Sequence, residues 1–191
     1  VSMVSIAPMP VAMSAPVRLV PLQCSKCQTA LPALPGETAW VCAACGQGLM
    51  LDEAIGVRPV DVFYSEQIQP NQTGKPYWVA LGTVNGLVRQ TYKGNESQAM
   101  NAFWAAGRLF YVAAWKMTIE QRVNEGVRLL NNPVLMKPGA PARFYPVTVS
   151  PRDVRPLAEF MIMSAEAARK DALKELGFQI QLEVPQLWVL P

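Results

Sequence analysis

An α+β fold is what the sequence predicts: a small N-terminal module set ahead of a mixed sheet with two helices. Three observations carry that reading. Two Cys-x-x-Cys pairs stand within residues 24–45 of the 191-residue chain. Stretches rich in aromatic and β-branched residues alternate with turn signals through the middle, and the last third carries an apolar stripe at helical spacing followed by a cleanly alternating segment. A chain of this length holds either one ordinary core or a small stapled module plus one domain of roughly 100–150 residues. The second arrangement is expected.

Residues 1–19 are small and apolar, punctuated by Pro8, Pro10 and Pro16, with Met3, Met9 and Met13 among them. Such a segment forms neither an amphipathic helix nor a core of its own, and it reads as a tail, either unstructured or laid over a partner. No window reaches about 18 uninterrupted apolar residues, and no basic stretch precedes the apolar one, so neither a membrane span nor a signal peptide is expected.

Residues 20–51 form the cysteine module. Within it, Pro32, Pro35 and Gly36 make a turn, and residues 37–41 make a strand that delivers Cys42. Residues 52–70 read as a connection holding one strand, 60–64, bracketed by Pro59 and Pro70. From residue 52 onward the chain is the α+β body. A hairpin is expected over 77–92, because Asn85-Gly86 sits between β-rich flanks and both turn positions of a tight hairpin need positive φ.

Next come two strand-then-helix units. Residues 109–115 lead to Thr118, whose hydroxyl can cap a helix with Gln121 three residues later, running to about Leu130. Residues 143–149 lead to Ser150, with Pro151 at the first helical position and Asp153 in the first turn. The shared Phe-Tyr, strand and cap suggest either an old duplication or coincidence. The second helix is expected over 151–176, ending at Gly177, with Leu157, Phe160, Met161, Ala165, Ala168, Ala172 and Leu176 on one stripe and Glu159, Glu166, Lys170 and Glu175 largely elsewhere. A strand over 178–184 alternates apolar and polar. The apolar end, Leu187-Trp188-Val189-Leu190, is expected to dock.

Composition removes several functions. Histidine is absent from the chain, which excludes Ser-His-Asp and Cys-His nucleophile systems, histidine general bases and every histidine-containing zinc site. Hydrophobic residues make up 51% and charged residues 16%, against a usual charged share of about 25%, so part of the apolar surface is expected to meet a partner. The net charge is +3. Arg18 and Lys26 against Glu37, Asp52 and Glu53 leave the first 56 residues at −1 and the remainder at +4, with no concentrated basic stripe. Arg89, Lys93, Arg108, Lys116, Arg122 and Arg128 could form a phosphate-contacting face, but charges interspersed with acids more often make a solvated surface. The aromatics, among them Trp78, Trp104, Trp115 and Trp188, read as core.

The chemistry lies in Cys24, Cys27, Cys42 and Cys45. Fourteen residues separate the two pairs, enough for two short hairpins that bring four thiolates together. In such a site each pair forms a tight knuckle, and a residue free to take positive φ is wanted after its second cysteine. Gly46 supplies it in one knuckle, and Gln28 stands there in the other. A module of about 30 residues cannot bury enough surface to fold alone, so a metal must act as its core. Four thiolates close the coordination shell, which makes one structural zinc ion the expected cofactor, ahead of a redox dithiol pair or a rubredoxin-like iron. Reduced, metal-bound cysteines without an export signal point to the cytoplasm.

Residues 20–51, read as QCSKCQ and VCAACGQGL, resemble a bacterial four-cysteine zinc ribbon. The body, with KPYWVALGTV, RLFYVAAWKM, RFYPVTVSPRDV and QLWVLP, resembles uncharacterised bacterial proteins that place such a ribbon before an α+β domain. That likeness implies no activity. The function expected is therefore that of a non-catalytic zinc-binding assembly or adaptor protein, an accessory subunit of a larger protein complex. The alternative is a nucleic-acid-associated factor using its ribbon in transcription or translation.

Overall fold

The computed structural model describes residues 19–92, 102–169 and 172–191. The expected tail, apart from Leu19, lies outside the described residues, as does Lys93.

The α+β fold read from the sequence is the fold observed. Three short strands, β1 (Ala39–Val41), β2 (Gly48–Asp52) and β3 (Gly56–Pro59), make an antiparallel N-terminal sheet. Because β2 runs through Asp52 and pairs with β3 from Leu49–Pro59 to Asp52–Gly56, this sheet reaches past residue 51 into the stretch expected as a connection. The larger sheet holds β4 (Val62–Tyr64), β5 (Lys75–Thr91), β6 (Arg108–Ala113), β7 (Leu173–Leu182) and β8 (Gln186–Leu190). Its order is β4-β8-β5-β6, with β7 pairing the far end of β5. The sheet is mixed: β8 lies parallel to β4 and antiparallel to β5. The apolar C-terminal segment is thus an interior strand.

The expected hairpin over 77–92 does not form. β5 passes straight through Asn85-Gly86 as one strand, and the positive φ of Gly86, 60°, serves a β-bulge instead. Asn85 pairs with Gln179 and Val88 with Gly177, so Gly86 and Leu87 oppose Phe178 alone. What returns along β5 is β7, nearly ninety residues later in the chain.

Two helices pack against this sheet. α1 (Ile119–Asn131) starts at the expected capping box, with Gln121 N–H donating to Thr118 Oγ1 at 3.2 Å and Thr118 N–H to Gln121 Oε1 at 3.1 Å. A 3-10 turn, Pro151–Asp153, capped by Ser150 as expected, leads into α2 (Val154–Ala167). The expected helix over 151–176 is therefore too long by about two turns. Residues 173–176 belong to β7, entered through Ala172 at φ 55°. The buried face of α2 is Val154, Ala158, Met161, Ile162 and Glu166, while Phe160, expected on the stripe, is half exposed. Residues 143–149, expected as a strand, contribute only single bridges, Phe144 to Gly74 and Val147 to Ala39. Only the first of the two units is a strand followed by a helix.

Both faces of β5 and β6 are covered. One carries Trp78, Ala80, Phe110 and Val112 against Met161 and Ile162, and the other Tyr77, Val79, Tyr111 and Ala113 against Leu129 and Trp188. Helix α1 approaches α2 at Gly126, where an added Cβ would stand 2.2 Å from Met161 Cε and 3.0 Å from the Tyr111 carbonyl; the lack of a side chain lets the helices close. Ala39 and Met50 of the small sheet belong to the same core cluster as Trp78. Thr38 secures this junction, its N–H donating to Val147 O at 2.8 Å and its hydroxyl to Val149 O at 3.0 Å.

Candidate metal centre

Each cysteine knuckle is built by the same backbone bonds. In the first, Gln28 N–H donates to Cys24 O at 2.9 Å and Cys24 N–H to Thr29 O at 2.9 Å. In the second, Gly46 N–H donates to Cys42 O at 2.8 Å and Cys42 N–H to Gln47 O at 2.9 Å. The residue after each second cysteine takes the left-handed conformation, Gln28 at φ 62° and Gly46 at φ 73°. That conformation turns each chain so sharply that both cysteines of a pair face one point. The second knuckle joins β1 to β2, whose register sets Val41 opposite Gly48.

These two turns bring Cys24, Cys27, Cys42 and Cys45 together, with all four Sγ atoms within 4.8 Å of one another. Across the knuckles, Cys24 and Cys45 are 3.6 Å apart and Cys27 and Cys42 3.5 Å. A disulfide needs about 2.05 Å, so these are free thiols. A tetrahedron with metal–sulfur bonds of about 2.3 Å has edges of about 3.8 Å, close to the two separations across the knuckles. The four residues fit one metal ion with four thiolate ligands. Cys24 and Cys42 are buried, Cys45 is half-buried and Cys27 is exposed.

The electrostatics call for a cation as well. The Thr29 hydroxyl, 3.2 Å from Cys27 Sγ, together with the Thr29 backbone N–H, holds the Cys27 thiol down at about 6. At Cys45 the Gln47 backbone N–H favours the thiolate, but burial and the three neighbouring sulfurs override it and push the thiol up to about 12. Four negative charges this close do not coexist without a compensating ion, and one thiolate forms at another's expense. A divalent cation reverses that balance and ionises all four.

Around the sulfurs sits a small cluster of Leu31, Trp40 and Leu49, with Leu22, Leu51 and Val57 packed on it. Glu37 braces the intervening loop, accepting from Trp40 Nε1 at 2.9 Å and from Leu34 N–H at 2.7 Å. Asp52, on the far end of β2, pairs with Arg58 at 3.5 Å and Arg152 at 3.2 Å, and Arg152 also reaches Glu53 at 3.0 Å. These ion pairs tie the β2–β3 turn to the turn before α2. Sequence reasoning found all four cysteines but missed Thr29 and Glu37. The signal for Glu37 was its three-residue spacing from Trp40.

Among the described residues Arg89, Arg108, Arg122 and Arg128 do not assemble a basic face, and two of them, Arg89 and Arg122, do not lie on the solvated surface expected for them. Arg89 is buried, 2.8 Å from the carboxylate of Glu166. Arg122 is buried on the carbonyls of Ala113, Trp115 and Met117. Arg128 is paired with Glu125 at 2.8 Å, and Arg108 lies over the ring of Phe103. Glu166 itself is fully buried, accepting from Trp104 Nε1 at 2.7 Å and from Arg169 at 3.0 Å. No helix among the described residues is long and apolar enough to cross a membrane. No protein-family model, curated protein or solved structure significantly matches the chain.

Proposed function

We propose that this chain is a non-catalytic zinc-binding assembly or adaptor protein, acting as an accessory subunit of a larger protein complex. Its Cys24, Cys27, Cys42 and Cys45 hold one structural Zn²⁺. The observation that carries the reading is the cluster of four cysteine sulfurs within 4.8 Å of one another. Zinc takes such a shell without geometric strain, and four protein ligands leave no position for a reacting water. Zinc therefore acts as the core of the ribbon and holds its surface rigid.

That surface has features suited to docking. Phe160 and Met163 of α2 are exposed beside Val123 and Asn124 of α1. A cleft of about 530 Å³ opens between ribbon and body, lined by Met50, Arg58, Pro59, Phe63, Arg152 and Gln186 among others. Against the nucleic-acid alternative stands the burial of Arg89 and Arg122 on the protein's own carboxylate and carbonyls, since a guanidinium so held releases no counterions from phosphate.

The test is native purification at low salt of the parent and of a Phe160→Glu/Met163→Glu variant. A stable protein partner that accompanies the parent and is lost from the variant is the expected result. Recovery of nucleic acid with an otherwise single chain would favour the alternative.

A further inference from the structure

We propose that Cys27 is the peroxide-reactive thiolate of the cluster and Cys42 its resolving partner, so that oxidation ejects the bound metal by locking the two knuckles together through a Cys27–Cys42 disulfide. The inference rests on the zinc reading above and assigns separate roles to its ligands.

Three features of the site set the order. Attack on a peroxide needs a sulfur that an oxidant can reach, and Cys27 is exposed whereas Cys24 and Cys42 are 0% and 1% exposed. The second sulfur must lie close enough to displace the oxygen that the first acquires. Cys42 stands 3.5 Å from Cys27, so about 1.5 Å of approach closes the bond. Finally, Cys27 and Cys42 belong to different knuckles, each held by its own backbone bonds. A disulfide between them joins two preformed turns and leaves Cys24 and Cys45 facing each other at 3.6 Å.

The chemistry balances with hydrogen peroxide as the oxidant. The Cys27 thiolate attacks one peroxide oxygen; an S–O bond forms, the O–O bond breaks and hydroxide leaves. Cys42 then attacks the sulfenic sulfur; an S–S bond forms, the S–O bond breaks and a second hydroxide leaves. Two thiolates lose two electrons and one peroxide gains them. The metal keeps only Cys24 and Cys45, half of its shell, and dissociates.

The experiment uses the full chain, first shown by metal analysis to carry zinc. Substoichiometric hydrogen peroxide is added in the presence of a colorimetric zinc chelator, and early products are mapped by proteolysis and mass spectrometry. The expected result is about one zinc released per peroxide consumed, with the Cys27–Cys42 peptide as the first disulfide. A first disulfide within either knuckle or between Cys24 and Cys45, or zinc retained under a roughly tenfold excess of peroxide, overturns the assignment. A chain without zinc at the outset overturns the metal reading instead.

Discussion

Replacing Glu166 by Gln removes a fully buried charge from a polar cluster. The Glu166 side chain is 0% exposed and faces Arg89, 2% exposed, at 2.8 Å and Arg169, 33% exposed, at 3.0 Å. Gln keeps an oxygen for Trp104 Nε1 but offers neither guanidinium a counter-charge. Arg169 can turn to solvent. Arg89 cannot, because it is also bonded to the Glu166 carbonyl at 2.9 Å from the buried side of β5. Removing one charge of a buried ion pair costs about 3–5 kcal/mol. For a chain of this size that lowers Tm by roughly 6–20 °C. Urea unfolding followed by tryptophan fluorescence, at fixed zinc, measures the loss directly, with Trp104 next to the perturbation. An Arg89→Met/Glu166→Met pair should recover part of the stability, since it removes both charges together but leaves Trp104 Nε1 without its acceptor. A Glu166→Gln chain destabilised by less than about 1 kcal/mol at unchanged m would refute the reasoning.

Two further predictions concern the backbone and acid. Gly86→Ala should cost about 1–2 kcal/mol, because φ at 60° is left-handed and no neighbouring atom lies within 4 Å of the new methyl. Gly86→Asn should cost less; urea midpoints of the two variants test this, and equal losses would mean that the bulge conformation is not the cause. The Ala54 N–H, then that of Ile55 and the arginines Arg152 and Arg58, hold the Asp52 carboxyl below its ordinary range, and Arg128, then Tyr77, does the same for Glu125. Both pKa values are depressed by folding, so their contribution is full above the unfolded values of about 3.9 and 4.3 and is lost as pH falls through the folded ones. Asp52→Asn and Glu125→Gln should therefore flatten the loss of stability below about pH 4 relative to the parent, a comparison in which shared acid release of metal cancels; an unchanged slope would count against it.

The parts of this fold legible in the sequence are those fixed within a few residues. The two knuckles, the capping box of Thr118 and Gln121, and the Ser150 cap with Pro151 and Asp153 each depend on side chains three to five positions apart. Where the deciding partner lies far along the chain, local pattern misleads. Asn85-Gly86 carries a hairpin's chemistry, yet β5 continues because β7 supplies an antiparallel partner from residues 173–182. Residues 168–176 include good helix formers, but completing the sheet against β5 outweighs that preference. Glu166 looks like a solvent-facing acid until Arg89 and Trp104, 77 and 62 residues away, are brought beside it. The cysteine cluster was readable because its four members fall within one short module; the exposed apolar patch of Phe160 and Met163 was not, because α1 and α2 meet only in the fold.

The claim on which the functional account depends is that the four thiolates hold zinc. Metal analysis of the purified full chain by inductively coupled plasma mass spectrometry, paired with thiol titration before and after a chelator, tests it most directly. The account predicts about one zinc per chain and four cysteines that become freely reactive only once zinc is removed. A folded chain with four freely reactive thiols and no metal, or with iron in the site, would contradict it.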